Sequence, residues 1–221
     1  MKMELLNQVK EDIRQFLSRK NSELLFNERD LQMHLAHHLI GTGHYDDVDV
    51  EYYVPYEQLD NYIWKNELKL DILVHKDNEF LPVELKYKTK RHSKKIKRFN
   101  EEMPDAVEVL KNQGAQDLGM YDFWKDVRRV ELVCRRFDTV KNGLAVFVTN
   151  DKQYLNPCRE TSNNYRFCMS EGIHDTIRHW QNPNSSCARS HPDFELERDY
   201  LVHWEGNIYE GVEFHYCIVE I

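Results

Sequence analysis

Asp71, Glu84 and Lys86 are the residues of this chain whose types and spacing point most directly to chemistry. Asp71 lies in the run LKLDILV (68–74), and Glu84 and Lys86 lie in FLPVELKY (80–87). Both runs read as strands, and between them Asp77-Asn78 tolerates the positive φ angles of a tight hairpin turn. A turn centred there pairs residues whose numbers sum to 155. Leu70 then faces Leu85, Ile72 faces Val83 and Val74 faces Leu81, all apolar and on one face of the hairpin. The other face sets Lys69 against Lys86, Asp71 against Glu84 and Leu73 against Pro82. A slip by one residue scrambles both faces, so the pattern specifies the register.

Side chains directly opposed across such a pair sit about 4.5–5.5 Å apart at Cβ, and two carboxylates at that spacing repel. A hard divalent cation bound through oxygens, Mg²⁺ or Mn²⁺, relieves the repulsion. Lys86, two residues from Glu84, projects from the same face. A metal held by Asp71 and Glu84 beside a lysine is equipped for phosphodiester hydrolysis. The metal acidifies and positions a water and neutralises phosphate charge, and Lys86 stabilises developing negative charge or orients the nucleophile. The blander reading is a solvated polar face, because an Asp followed at a distance by Glu-x-Lys is a common pattern. Three features favour the functional reading: the apolar bracketing of the site, a basic run that begins on the same strand, and a preceding helix that carries Glu28.

The basic run is KYKTKRHSKKIKR (86–98), with eight Lys or Arg and no acid, in a chain of net charge -8. Such a strip on an acidic body suggests focused binding of a polyanion. Lys88, Lys90, Arg91, Lys94, Lys95, Lys97 and Arg98 are therefore expected to hold a nucleic-acid backbone rather than to read bases. The alternative is a mobile, solvated loop.

The elements that must position these residues can be read from periodicity. Apolar residues at Leu5, Leu6, Val9, Ile13, Phe16 and Leu17 predict a helix within 3–19. A second helix is expected to start at Asn27 as N-cap and to stop at Gly41-Thr42-Gly43. Strands follow at VDVEYYVPY (48–56), 68–74 and 80–87. Pro104 is expected to open a long helical stretch, which Gly114 and Gly119 divide in two. A buried strand, GLAVFVTN (143–150), comes next. Beyond 150 the chain reads as loops, a short helix around GIHDTIRHW, and late strands at 199–204 and 214–221. The expected division is a core over 1–150 and an extension over 151–221 packed on it.

The run LKLDILV, six residues, then LPVELKYK resembles the core motif of the PD-(D/E)XK nuclease superfamily, over about residues 27–150. The resemblance implies a restriction-endonuclease-like α/β fold, an αβββαβ core with a mixed central sheet flanked by helices, here followed by a C-terminal extension with a short β-hairpin. It matches Asp71 to the motif aspartate and Glu84 and Lys86 to the (D/E)XK part. Glu28 falls where many members place a further acid that assists the metal. Gln113 and Gln116, at the start of the following helix, fall where members place polar residues near DNA. Leu70 stands where the motif name has Pro. The implied function is a Mg²⁺- or Mn²⁺-dependent DNA endonuclease, a homodimer being compatible with cutting both strands. The alternatives are a non-cleaving nucleic-acid-binding or interaction protein of the same fold, and a metal phosphoesterase acting on small molecules.

Other classes find little support. The five cysteines form no CxxC pair, so reduced thiols fit better than a disulfide framework, and the Cys158, Cys168, Cys187 and His191 spacing does not match a zinc knuckle. His34 and His38 share a helix face without a metalloprotease Glu, and GTG at 41–43 lacks the lysine of a phosphate loop. No apolar run is long enough to span a bilayer or to act as a signal peptide, so the expectation is a soluble cytoplasmic protein without membrane contact.

Overall fold

Residues 4–19 and 24–221 are described by a computed structural model. Helix α1 (Leu5–Leu17) buries Leu5, Val9, Ile13 and Leu17, the apolar stripe read from the sequence; residue 3 lies outside the described residues. Helix α2 (Glu28–Thr42) begins where Asn27 accepts a hydrogen bond from the Asp30 N–H, and it ends at Gly43 with φ 68°. These are the cap chemistries expected of Asn and Gly at those ends.

Six strands form one mixed sheet in the order β1-β2-β3-β4-β6-β5. They are β1 (Asp47–Val54), β2 (Leu68–Lys76), β3 (Glu79–Lys88), β4 (Leu144–Thr149), β5 (Trp204–Tyr209) and β6 (Val212–Glu220). The β3–β4 pair is parallel and the other neighbours are antiparallel. Helices α1 and α2 cover one face, packing on Ile72, Val74, Leu81, Val83 and Leu85. Helix α3 (Gln116–Arg136) covers the other face, with Trp124, Val127 and Val130 against Leu70, Leu73, Ala145 and Phe147. Parallel β3 and β4 need a crossover, and α3 supplies it. The hairpin of β5 and β6 extends the sheet beyond β4, so residues 204–220 belong to the central sheet itself. Among the described residues no helix is long and apolar enough to cross a membrane.

Three expectations about elements are corrected. Residues 104–115 are not helical. Val107–Leu110 instead pairs antiparallel with His92–Lys94, and Lys97–Arg98 pairs with Glu101–Glu102. The alternation in DAVEVL suits a ribbon better than a helix, because β-branched residues stiffen χ1 against helical turns. Residues 172–178 form the short strands Gly172–His174 and Ile177–Arg178, and the short helix lies at Ser186–Ser190. Gly119 does not break α3, which runs uninterrupted for 21 residues.

Gly119 is needed for proximity. A Cβ there would collide with the hydroxyl of Tyr154, a buried residue whose Oη has no hydrogen-bond partner. Overpacking costs about 1–3 kcal/mol, against a helix-propensity gain of roughly 1 kcal/mol for Gly→Ala. Gly119→Ala should therefore lower the melting temperature, and should do so less in a Tyr154→Phe background, where the colliding hydroxyl is gone. Equal losses in both backgrounds would mean that the hydroxyl is not what requires glycine.

Candidate metal and phosphodiester site

The β2–β3 register is the one read from the sequence: Ile72 pairs Val83, Leu73 pairs Pro82 and Val74 pairs Leu81, around a turn in which Asp77 has φ 56°. The ladder stops at Ile72. Leu70 does not share a face with Ile72 and Val74. It joins Leu73 in the core under α3, whereas Ile72 and Val74 face α1 and α2. The alternation of β2 therefore inverts at Asp71. In β1 the residue opposite is Glu51, which has φ 53° and is skipped by the β1–β2 ladder. A positive φ at a non-glycine residue is a local distortion that the surroundings must hold. Buried Gln32 of α2 holds it, donating from Nε2 to the Asp71 carbonyl at 2.8 Å and to Glu51 Oε1 at 3.1 Å.

Asp71 sits at this break. Its Oδ2 accepts a hydrogen bond from the Leu85 N–H at 2.6 Å, in place of a ladder bond. Glu84 is buried at 3% exposure, and its Oε1 has no hydrogen-bond partner. Lys86 extends from β3 to α3, where its Nζ lies 2.6 Å from Asp126 Oδ2. That contact is an ion pair whose angles are not those of a good hydrogen bond. Arg129, one turn on, places Nη1 3.2 Å from Asp126 Oδ1 and donates from Nη2 to the Glu67 carbonyl. Glu28, at the first turn of α2, accepts the Tyr87 N–H on its Oε2 at 2.8 Å.

The electrostatics follow from burial and from this excess of acids. Glu28, Asp71, Glu84 and Asp126 gather around Lys86 and Arg129, with Lys125 adding a weaker pull on Asp126. Desolvation pushes Asp71 up to about 6, against the pull of Lys86 and of the Leu85 N–H. Burial raises Glu84 well above the usual carboxylate range, and Asp126 and Asp71 push it in the same direction. Burial also acts against the charges on Lys86 and Asp126, but it is outweighed. The carboxylates hold the Lys86 pKa up, and Lys86 with Arg129 holds Asp126 below its ordinary value. Buried charges persist when they are paired. In this cluster Lys86, Arg129 and Asp126 are paired, and Glu84 has the least compensation.

Asp71, Glu84 and Lys86 share one charged cluster, but Asp71 and Glu84 are not the directly opposed pair expected from the sequence, and Glu28 does not complete a cage with them. Among the described residues no three His, Cys, Asp or Glu side chains converge closely enough to hold a metal ion between them. The donor set still fits one hard cation. Glu84 Oε1 is an orphaned oxygen beside a second carboxylate, and Mg²⁺ characteristically takes one or two carboxylates and keeps several waters. Asp126, Arg129 and Gln32 were missed from the sequence. For the first two a signal existed: an acid and an arginine at i, i+3 within the apolar Trp124, Val127, Val130 face of α3.

The basic strip forms an ordered ribbon, with Phe99 and Asn100 in its tight turn at φ 53° and 67°. Several of its charges are engaged. Arg91 lies 2.6 Å from Glu108, Lys94 pairs with Glu210, Lys97 lies 3.5 Å from Glu102, and Arg98 stacks 4.8 Å over the Phe26 ring. Lys88, Lys90 and Lys95 make no ion pair among the described residues. Gln113 accepts the Thr89 N–H on Oε1, and Gln116 donates to Asp151, so both amides have intramolecular partners.

One consequence of the raised Asp71 pKa can be measured without metal. Folded Asp71 binds its proton near pH 6, and an unfolded aspartate near pH 4. Between those values the folded chain carries the extra proton, so this group makes stability fall as pH rises from about 4 to about 6. In EDTA, Asp71→Asn should stabilise the chain more at pH 7 than at pH 4.5 by urea unfolding. An equal effect at both pH values would contradict the shift.

No family model matches this chain, and no curated protein or solved structure matches it.

Proposed function

We propose that this protein is a divalent-metal-dependent nuclease that hydrolyses phosphodiester bonds in DNA, on a restriction-endonuclease-like core. The observation that carries the reading is the buried Glu84 carboxylate, whose Oε1 has no partner, in a cluster holding four acids and two bases. Bound Mg²⁺ or Mn²⁺ would supply charge neutralisation and a water of lowered pKa. Glu84 and Asp71 would hold it, with Glu28 nearby. The Leu85 N–H fixes the Asp71 carboxylate, and Gln32 fixes its backbone. Lys86, kept charged by Asp126, presents a cation where negative charge develops on phosphate.

A second reading, a nucleic-acid-binding protein that does not cleave, is favoured by one observation: Lys86 is already matched to Asp126. Calorimetric titration with Mg²⁺ separates the two. The hydrolase reading expects one bound ion per chain, lost in Glu84→Gln; absence of binding by the wild type would favour the non-cleaving protein.

The ribbon carries the expected DNA contact. Because Lys94 and Lys97 are paired, the informative variant is Lys88, Lys90 and Lys95 replaced together by Ser. It should weaken binding to all duplex sequences alike and reduce the slope of log K against log[salt] by up to about three, roughly one per lost phosphate contact. An unchanged slope would mean that these lysines do not touch DNA.

A further inference from the structure

A second constellation lies away from this site, where residues 156–170 pack on α3. Trp124 Nε1 donates to the carbonyls of Phe167 and Cys168 at 3.0 and 3.2 Å, which fixes the backbone at Cys168. The Cys168 Sγ accepts the Cys158 N–H at 3.1 Å and lies 3.4 Å from Ser170 Oγ. Cys158 Sγ lies 3.9 Å from Met120 Sδ and 3.8 Å from Asn164 Nδ2. Both cysteines line a cavity of about 400 Å³, together with Tyr165, Arg166, Ser170 and His174. Neither is in a disulfide.

We propose that Cys158 and Cys168 form a peroxide-reactive dithiol site, with Cys168 as the attacking thiolate and Cys158 as the resolving thiol. The geometry supplies what each step needs. A sulfur that receives a backbone N–H and faces a serine hydroxyl is stabilised as the anion, the nucleophilic form of cysteine. The neighbouring Cys158 side chain, with Ser170 and the Cys158 N–H, pushes Cys168 down to about 5 against the opposing effect of burial, and Cys158 is raised in turn. The cavity admits a small hydroperoxide to both sulfurs. In the first step the Cys168 sulfur attacks a peroxide oxygen. An S–O bond forms, the O–O bond breaks, and the departing hydroxide or alkoxide takes a proton from water. In the second step Cys158 loses its proton and attacks the Cys168 sulfenic acid. An S–S bond forms and water leaves, so that two thiols are oxidised as one peroxide is reduced. A small dithiol reverses the change by exchange. This site does not depend on the proposed hydrolase activity.

The test uses the full chain with hydrogen peroxide, followed by peptide mapping without reduction. The expected product is a Cys158–Cys168 linked peptide, with Cys134, Cys187 and Cys217 still thiols. In Cys158→Ser, Cys168 should stop as a sulfenic acid that dimedone traps; in Cys168→Ser no link should form. The wild type alone provides a further reading. At pH 6 iodoacetamide should alkylate Cys168 about tenfold faster than Cys187, the gain in thiolate fraction being partly offset by the lower nucleophilicity of a low-pKa sulfur. Equal labelling of Cys168 and Cys187, or oxidation of another cysteine before Cys168, would overturn the proposal.

Discussion

Glu84→Gln should abolish hydrolysis and at the same time make the protein more stable. The substitution preserves shape and removes one charge. Glu84 is 3% exposed with an unpartnered Oε1, and burial, Asp126 and Asp71 all act against its ionisation. A poorly compensated buried charge carries a desolvation penalty, and a neutral isostere of the same shape removes it, so the substitution should stabilise the fold. Activity should fall at least about 10³-fold, equivalent to roughly 4 kcal/mol in the barrier, because the oxygen that would bind the cation becomes an amide. Opposite signs for stability and activity mark a residue kept for its chemistry. Thermal unfolding in EDTA and a nuclease assay in Mg²⁺ read the two quantities separately. A variant that is both inactive and less stable would instead make Glu84 a structural member of the charge network.

Asp126→Ala should have the largest effect on stability. Asp126 pairs with both cations, 2.6 Å from Nζ of half-buried Lys86 and 3.2 Å from Nη1 of buried Arg129, and it joins β3 to α3 across the sheet face. Removing one member of such a network leaves the others buried and uncompensated, at a cost of about 3–5 kcal/mol. Adding Lys86→Met to Asp126→Ala should recover part of that loss, since the methionine fills similar volume without a charge. Urea denaturation measures both. A loss below about 1 kcal/mol for Asp126→Ala would show that solvent reaches the cations and that the cluster is not sealed.

Much of this arrangement was legible in the sequence, for identifiable reasons. The β2–β3 register followed from matched apolar residues around Asp77-Asn78, a local pattern. The ends of α2 followed from Asn27 and Gly43, whose cap geometries belong to their residue types. The inversion at Asp71 was not legible, because it depends on Glu51 in the neighbouring strand and on Gln32 in a helix packed against both. Asp126 was missed because its partner Lys86 is 40 positions away in sequence, although an acid on an apolar helical face was a usable sign. The helix expected from Pro104 gave way to a ribbon because Val107 and Val109 alternate with polar residues. The charge run in 86–98 was visible, but not the acids at 102, 108 and 210 that pair with part of it.

The proposal that this is a metal-dependent nuclease is tested most directly by incubating the wild type with supercoiled plasmid in Mg²⁺, beside EDTA and Glu84→Gln controls. The prediction is nicked or linear DNA from the wild type in Mg²⁺, and intact plasmid in both controls. Cleavage that persists in EDTA or in Glu84→Gln, or a wild type that binds the plasmid and leaves it intact, would contradict it.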